Sequence, residues 1–137
     1  MKYKELELYI DGASKGNPGP SGIGAILCRQ GEPVKNISVF IGYATNNIAE
    51  YTALIYGLKE ALNFQAEILK IKSDSQLLCR QLKKIYKVKD AGILNLYNQA
   101  VGLMAGFKEV IVTHIPREDN RGADKLANKA VKEMKGG

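Results

Sequence analysis

A change of period near residue 46 constrains the fold more than any other feature of the sequence. Before it, apolar and polar residues alternate: Leu6, Leu8 and Ile10 fall on one face of a run from Lys4 to Asp11, and Glu7, Tyr9 and Asp11 on the other. That is the pattern of a half-buried strand. Ile23 to Cys28 and Val34 to Ile41 read as two more strands around a turn at Gly31, while Gly12 to Gly24, rich in Gly, Pro, Asn and Ser, reads as a turn. Links this short favour antiparallel neighbours. From about Asn46 to Phe64 the spacing becomes helical, with Ile48, Tyr51, Leu54, Ile55, Leu58 and Leu62 on one broad face. Glu67 to Ser73 then returns to a β-type run. A strand reached through a helix is expected to pair in parallel with one of its predecessors by a right-handed crossover.

The rest of the chain continues the alternation of elements. Helices are predicted over about Ser75 to Tyr86 and Ala91 to Ala105, a last strand over Glu109 to Ile115, and a closing helix over about Arg121 to Met134. In that helix Ala123, Leu126, Ala127, Ala130 and Met134 are expected inward. The order is βββαβααβα, an α/β class. Gly57 and Ala61 share the line of Glu50 on the first helix, and residues so small would let it lie close to a sheet. With 137 residues and no repeat or linker, a single domain over residues 1–137 is expected.

Composition narrows the functional classes. Met1 to Glu7 alternates charged and apolar types, and no long apolar run follows, which points to the cytosol rather than secretion or a membrane. Cys28 and Cys79 stand far apart with no His or third Cys at ligand spacing, so both are read as small core residues rather than a disulfide or zinc site. A net charge of +6 permits attraction to phosphate. Many basic proteins bind no nucleic acid, so the motifs must decide.

Four acids occupy element ends: Asp11 closes the first strand, Glu50 lies early in the first helix, Asp74 follows the fourth strand, and Asp124 lies early in the last helix. Ligands of open α/β sheets bind beyond the carboxyl ends of the strands. If the first and fourth strands are parallel neighbours, Asp11 and Asp74 stand roughly 5 Å apart. Carboxylates held that close repel one another, and a hard divalent cation stabilises them all ionised. Two such ions can activate a water and stabilise the leaving oxygen of a phosphodiester. Each acid alone has a plainer reading, as a turn former or a complement to a helix dipole.

The local context of all four is more specific. The segments Tyr9-Ile10-Asp11-Gly12-Ala13-Ser14-Lys15-Gly16-Asn17-Pro18-Gly19-Pro20, Thr45-Asn46-Asn47-Ile48-Ala49-Glu50-Tyr51-Thr52-Ala53-Leu54, Ser73-Asp74-Ser75-Gln76 and Ala123-Asp124-Lys125-Leu126-Ala127 resemble, in order, the four signature blocks of type 1 ribonuclease H. The resemblance spans nearly the whole chain. It implies a five-stranded mixed sheet, three strands antiparallel and two parallel, with helices on both faces. It also implies endonucleolytic hydrolysis of the RNA strand of RNA–DNA hybrids by two Mg²⁺ or Mn²⁺ ions, giving 5′-phosphate and 3′-hydroxyl ends. Asp11, Glu50, Asp74 and Asp124 are then the metal-binding catalytic carboxylates; from size and composition, a folded monomer is expected.

By the same resemblance Gly12, Asn17, Asn46, Asn47 and Gln76 face the substrate, where amides both donate to and accept from a 2′-hydroxyl. The Gly-rich block is no P-loop, since Pro18 and Pro20 interrupt it and no Gly-Lys-Ser/Thr ending follows. A plainer use has Asn46 capping the helix and Asn17 making the turn. His114 matches the spacing of a mobile family histidine about ten residues before the last Asp. Arg117 matches branches of the family that place an arginine there, where it would stabilise phosphate charge. Arg80, Lys83, Lys84, Lys87 and Lys89 surround Tyr86, as a phosphate contact or a solvated helix face. The region between Asp74 and the last strand is short for the family and lacks the full basic helix and loop, so weaker hybrid binding, or dependence on other basic residues, is expected. Two other functions keep much of this pattern: a noncatalytic hybrid-binding module, and a recombinase or junction-resolving nuclease on a similar sheet.

Overall fold

The computed structural model describes residues 3–134; Met1 and Lys2, which begin the alternating N-terminal run, and residues 135–137, the end of the expected domain, lie outside them. The strands are β1 (Glu5–Ser14), β2 (Gly19–Arg29), β3 (Glu32–Ala44), β4 (Ile68–Ser73) and β5 (Glu109–His114). The helices are α1 (Asn46–Asn63), α2 (Gln76–Leu82), α3 (Ala91–Met104) and α4 (Arg121–Met134), the last preceded by a 3-10 turn, Arg117–Asp119. One mixed sheet forms, in the order β3-β2-β1-β4-β5. β1, β2 and β3 are antiparallel, and β4 lies parallel to both β1 and β5. The expected α/β class and mixed five-stranded sheet are therefore present.

Alternation in β1 buries Leu6, Leu8 and Ile10 completely, beneath α1. Leu54, Leu58 and Ala61 of α1 meet them with Leu69 and Ile71 of β4. Gly57 sets the distance. A Cβ there would fall 2.5 Å from Leu8 Cδ1, so any larger residue would have to displace the Leu8 side chain or the helix. The other face is built from smaller parts: a Cβ at Gly24 would fall 2.1 Å from the Ala123 carbonyl oxygen, and one at Gly22 2.5 Å from that of Ala127. α4 lies in this glycine groove on β2, burying Ala123, Ala127, Ala130 and Val131.

Four local expectations change. The segment Gly12 to Gly24 is mostly strand, since β1 continues to Ser14 and β2 starts at Gly19, with Asp11 paired to Gly24 and Ser14 to Ser21. Its glycines serve helix approach more than turning, which is why they mimic a loop in the sequence. α2 stops at Leu82 rather than Tyr86. Lys84 takes a positive φ of 64°, Ile85 N–H bonds to Arg80 O and Lys84 N–H to Gln81 O, a Schellman ending made without glycine. Thr45, not Asn46, caps α1: its side chain accepts from Ile48 N. Val131, four residues after Ala127, takes the fully inward place expected for Met134, which is half-buried. Cys28 and Cys79 are buried free thiols, as expected, and no helix among the described residues is long and apolar enough to cross a membrane.

Candidate metal and nucleic-acid site

The parallel pairing of β1 and β4 ends with Ile10 opposite Ser73, which delivers the following residues, Asp11 of β1 and Asp74 just after β4, side by side. Glu50 arrives from above through Gly12. A Cβ on Gly12 would lie 2.7 Å from Glu50 N and Ala49 C, so glycine is what lets the first turn of α1 rest against β1. Gly12 N–H donates to Glu50 Oε1 at 3.2 Å. Oxygens of Asp11, Glu50 and Asp74 lie within 4.8 Å of one another. Asp124, in the first turn of α4, completes a cleft of about 420 Å³ with these three and with Gly12, Asn46, Arg117 and Asn128.

This is an electrostatically costly arrangement. Burial pushes the Asp11 carboxyl up to about 7; the Glu50 hydrogen bond opposes that rise, and Asp74 and Asp124 add to it. Burial also holds Glu50 well above the usual carboxylate range, with Asp11 beside it adding repulsion. Glu50 Oε2 is buried and accepts no hydrogen bond. A buried oxygen without a donor, within reach of two other carboxylates, suits a hard cation taking oxygen ligands such as Mg²⁺ or Mn²⁺. The residues present fit such a group.

The remaining predicted residues fall in three places. Asn17, Asn46 and Asn47 are exposed around the start of α1, where Asn17 Oδ1 accepts from Asn46 N–H at 3.0 Å and so ties the hairpin turn to the helix. Asn46 lines the carboxylate cleft, whereas Asn17 and Asn47 border a neighbouring hollow with Thr45 and Asp90. Gln76 is exposed at the first position of α2, after the capping Ser75. His114 ends β5 opposite Ser73, its Nε2 3.2 Å from the Asp74 backbone oxygen, and Arg117 lines the cleft. The basic cluster is not one helix face: Arg80 is on α2 and donates to the Tyr86 hydroxyl, while Lys83, Lys84, Lys87 and Lys89 lie exposed in the loop before α3.

Two residues at the site were not anticipated. Asn128 Nδ2 donates to Asp124 Oδ1 at 3.1 Å, one helical turn on. Asn120 is buried and donates to Asp74 Oδ2 at 3.3 Å. An asparagine four residues before a helical acid reads as an ordinary cap, and nothing in the sequence separates it from one.

Comparison with known proteins places this geometry in a family. A family model described as reverse transcriptase-like matches residues 9–130. Ribonuclease HI of Halobacterium salinarum is 40% identical over 127 residues, covering 92% of this chain and 64% of that protein. The bifunctional protein Rv2228c of Mycobacterium tuberculosis is 40% identical over 129 residues, covering 93% of this chain and 35% of that protein. The chain thus spans less than two thirds of the length of both. The crystal structure of LC11-RNase H1 in complex with an RNA/DNA hybrid superimposes with a TM-score of 0.90 at 33% identity, over 94% of this chain and 98% of that one.

Proposed function

The chain belongs to the type 1 ribonuclease H family, and from that premise we propose that it hydrolyses the RNA strand of RNA–DNA hybrids at the four-carboxylate cleft. The products are 5′-phosphate and 3′-hydroxyl ends. The observation that carries the reading is the meeting of Asp11, Glu50 and Asp74 within 4.8 Å from three separate elements, in a fold shared with an enzyme solved on such a hybrid.

We assign Asp11, Glu50, Asp74 and Asp124 as the groups that hold two divalent cations, Mg²⁺ or Mn²⁺. When bound, these ions supply the positive charge that lets a water attack phosphorus at neutral pH and the leaving oxygen depart as an anion. The protein does the rest. Asp11 within β1, Asp74 just after β4 and Asp124 in the first turn of α4 would hold those ions, and Glu50, fixed by the Gly12 N–H, presents its unpaired oxygen to the same point. Gly12 also leaves the nucleic-acid backbone room beside Asp11. Asn17, Asn46, Asn47 and Gln76 contact sugars and base edges, reading the 2′-hydroxyl that marks RNA. His114, beside the Asp74 carbonyl, carries a proton or assists product departure, and Arg117 stabilises phosphate charge from the cleft wall.

A noncatalytic hybrid-binding module has no use for acids whose burial opposes their ionisation, which favours catalysis over that alternative. A recombinase or resolving nuclease has no need to distinguish a 2′-hydroxyl. The chain works as a monomer in the cytosol, consistent with two buried free thiols. The test is a cleavage assay on matched hybrid, RNA and DNA duplexes with Mg²⁺ or Mn²⁺, beside Asp11→Asn. Metal-dependent cutting confined to the RNA of the hybrid, abolished by Asp11→Asn, supports the reading; binding without cutting would replace it with the module.

A further inference from the structure

Asn120 lies between the 3-10 turn and α4, with 1% of its surface exposed. Its Nδ2 donates to the backbone oxygen of Ile10 at 2.8 Å and to Asp74 Oδ2 at 3.3 Å. Both partners accept, so the position calls for a hydrogen-bond donor, which the amide nitrogen supplies and an ionised carboxylate could not. Its backbone is engaged on both sides as well: Asn120 N–H donates to Arg117 O at 3.0 Å, and Asn120 O accepts from Asp124 N–H at 3.1 Å. Ile10 is the residue before Asp11. One buried residue therefore joins, by its side chain, the strand carrying Asp11 and the carboxylate of Asp74 and, by its backbone, the first turn of the helix carrying Asp124.

We infer that Asn120 is a positioning residue that sets the mutual placement of Asp11, Asp74 and Asp124 for cation binding. The choice of residue type fits that task. A lysine or arginine in the same place would neutralise Asp74 and compete with a cation. A neutral amide holds one oxygen of Asp74 by a hydrogen bond and leaves the other free to bind metal. Groups that orient metal ligands in this way tune affinity without touching the ion. The residue also carries a local penalty that packing alone does not explain, because its buried Oδ1 accepts no hydrogen bond.

The inference rests on the metal-dependent reading above, and its test is separable from that reading because it uses the protein without nucleic acid. Mg²⁺ binding to Asn120→Ala and to wild type is measured by titration calorimetry, with melting temperatures recorded in the absence of metal. The expected result is about 10- to 100-fold weaker Mg²⁺ binding in the variant. In hybrid cleavage, the half-saturating Mg²⁺ concentration should rise in parallel while KM for the hybrid stays within about twofold, and excess Mg²⁺ should recover much of kcat. A merely structural residue would lower the melting temperature and leave the Mg²⁺ midpoint of the folded protein unmoved; that outcome overturns the inference.

Should Asn120→Ala not fold, the wild-type protein provides the test by nuclear magnetic resonance. The Asn120 side-chain amide resonances should shift on saturation with Mg²⁺ and exchange slowly with solvent, and resonances unmoved by saturating Mg²⁺ would overturn the inference. If Mg²⁺ binding depends on Asn120 but no hybrid is cut, the proposed activity fails while the positioning role stands.

Discussion

The two ends of α1 are built to opposite rules. Over its middle and C-terminal turns, Leu54, Leu58 and Ala61 press onto Leu6, Leu8 and Ile71 with every side chain apolar and sealed from solvent. At its first turn the same helix buries Glu50 beside Asp11 with one carboxylate oxygen unpaired. One end gains free energy from burial, and the other spends it to hold like charges together. The contrast teaches that rigidity at the cleft is borrowed: the packed end fixes α1 so firmly that its first turn can carry an arrangement that would not assemble alone.

The sharpest way to break this comparison is Asp11→Asn. Hybrid cleavage should fall by about three orders of magnitude or more, roughly 4 kcal/mol in barrier. The metal-free melting temperature at neutral pH should rise, because a repelled carboxylate has been replaced by a neutral group of the same shape. A fall in melting temperature would mean that the acids support the fold, and the two ends of α1 would not differ as described. At the other end, Leu8→Ala should cost about 2–5 kcal/mol of stability by denaturant unfolding. Activity per folded molecule should stay near wild type, since Leu8 lies beneath Gly57 and away from the cleft.

Proton binding sharpens the comparison further. Asp11 has an ordinary value of 3.8 and is pushed up to about 7 in the fold, and Glu50 is raised in the same sense. Across that window the native state holds more protons than the unfolded chain. Metal-free stability should therefore be greatest at the acid end of the window and decline as pH rises from about 4 through about 7. Mg²⁺ should offset the decline, stabilising more at pH 8 than at pH 5, because it binds the deprotonated acids. Thermal melts with Mg²⁺ and with chelator at the two values check this. The smallest expected effect is at the rim. Asn47→Ala, exposed at the start of α1, should raise KM for the hybrid by a few fold, worth about 1 kcal/mol, with kcat little changed.

Periodicity was enough to read the element order and the parallel step from β1 to β4, because one face of each element is apolar at its own repeat. It was enough, too, to see that Asp11 and Asp74 would meet if those strands paired, which the Ile10 to Ser73 register delivers. What stayed hidden depends on partners distant in sequence. Gly12, Gly22 and Gly24 look like turn formers, yet their role is to admit Glu50, Ala127 and Ala123 from helices far along the chain. The end of α2 was misplaced because Lys84 adopts a conformation that glycine usually marks. Asn120 was invisible for the same reason as the glycines: its meaning lies in Ile10 and Asp74, not in its neighbours.

The seat of α4 in the glycine groove of β2 has a consequence for the order of assembly. Asp124 travels on the last element of the described fold, after every strand of the sheet has been made. A polypeptide emerging from the ribosome can form the whole sheet while its cleft still lacks one wall. The four-acid cleft is therefore complete only once that final helix has docked, whatever the sheet has already become.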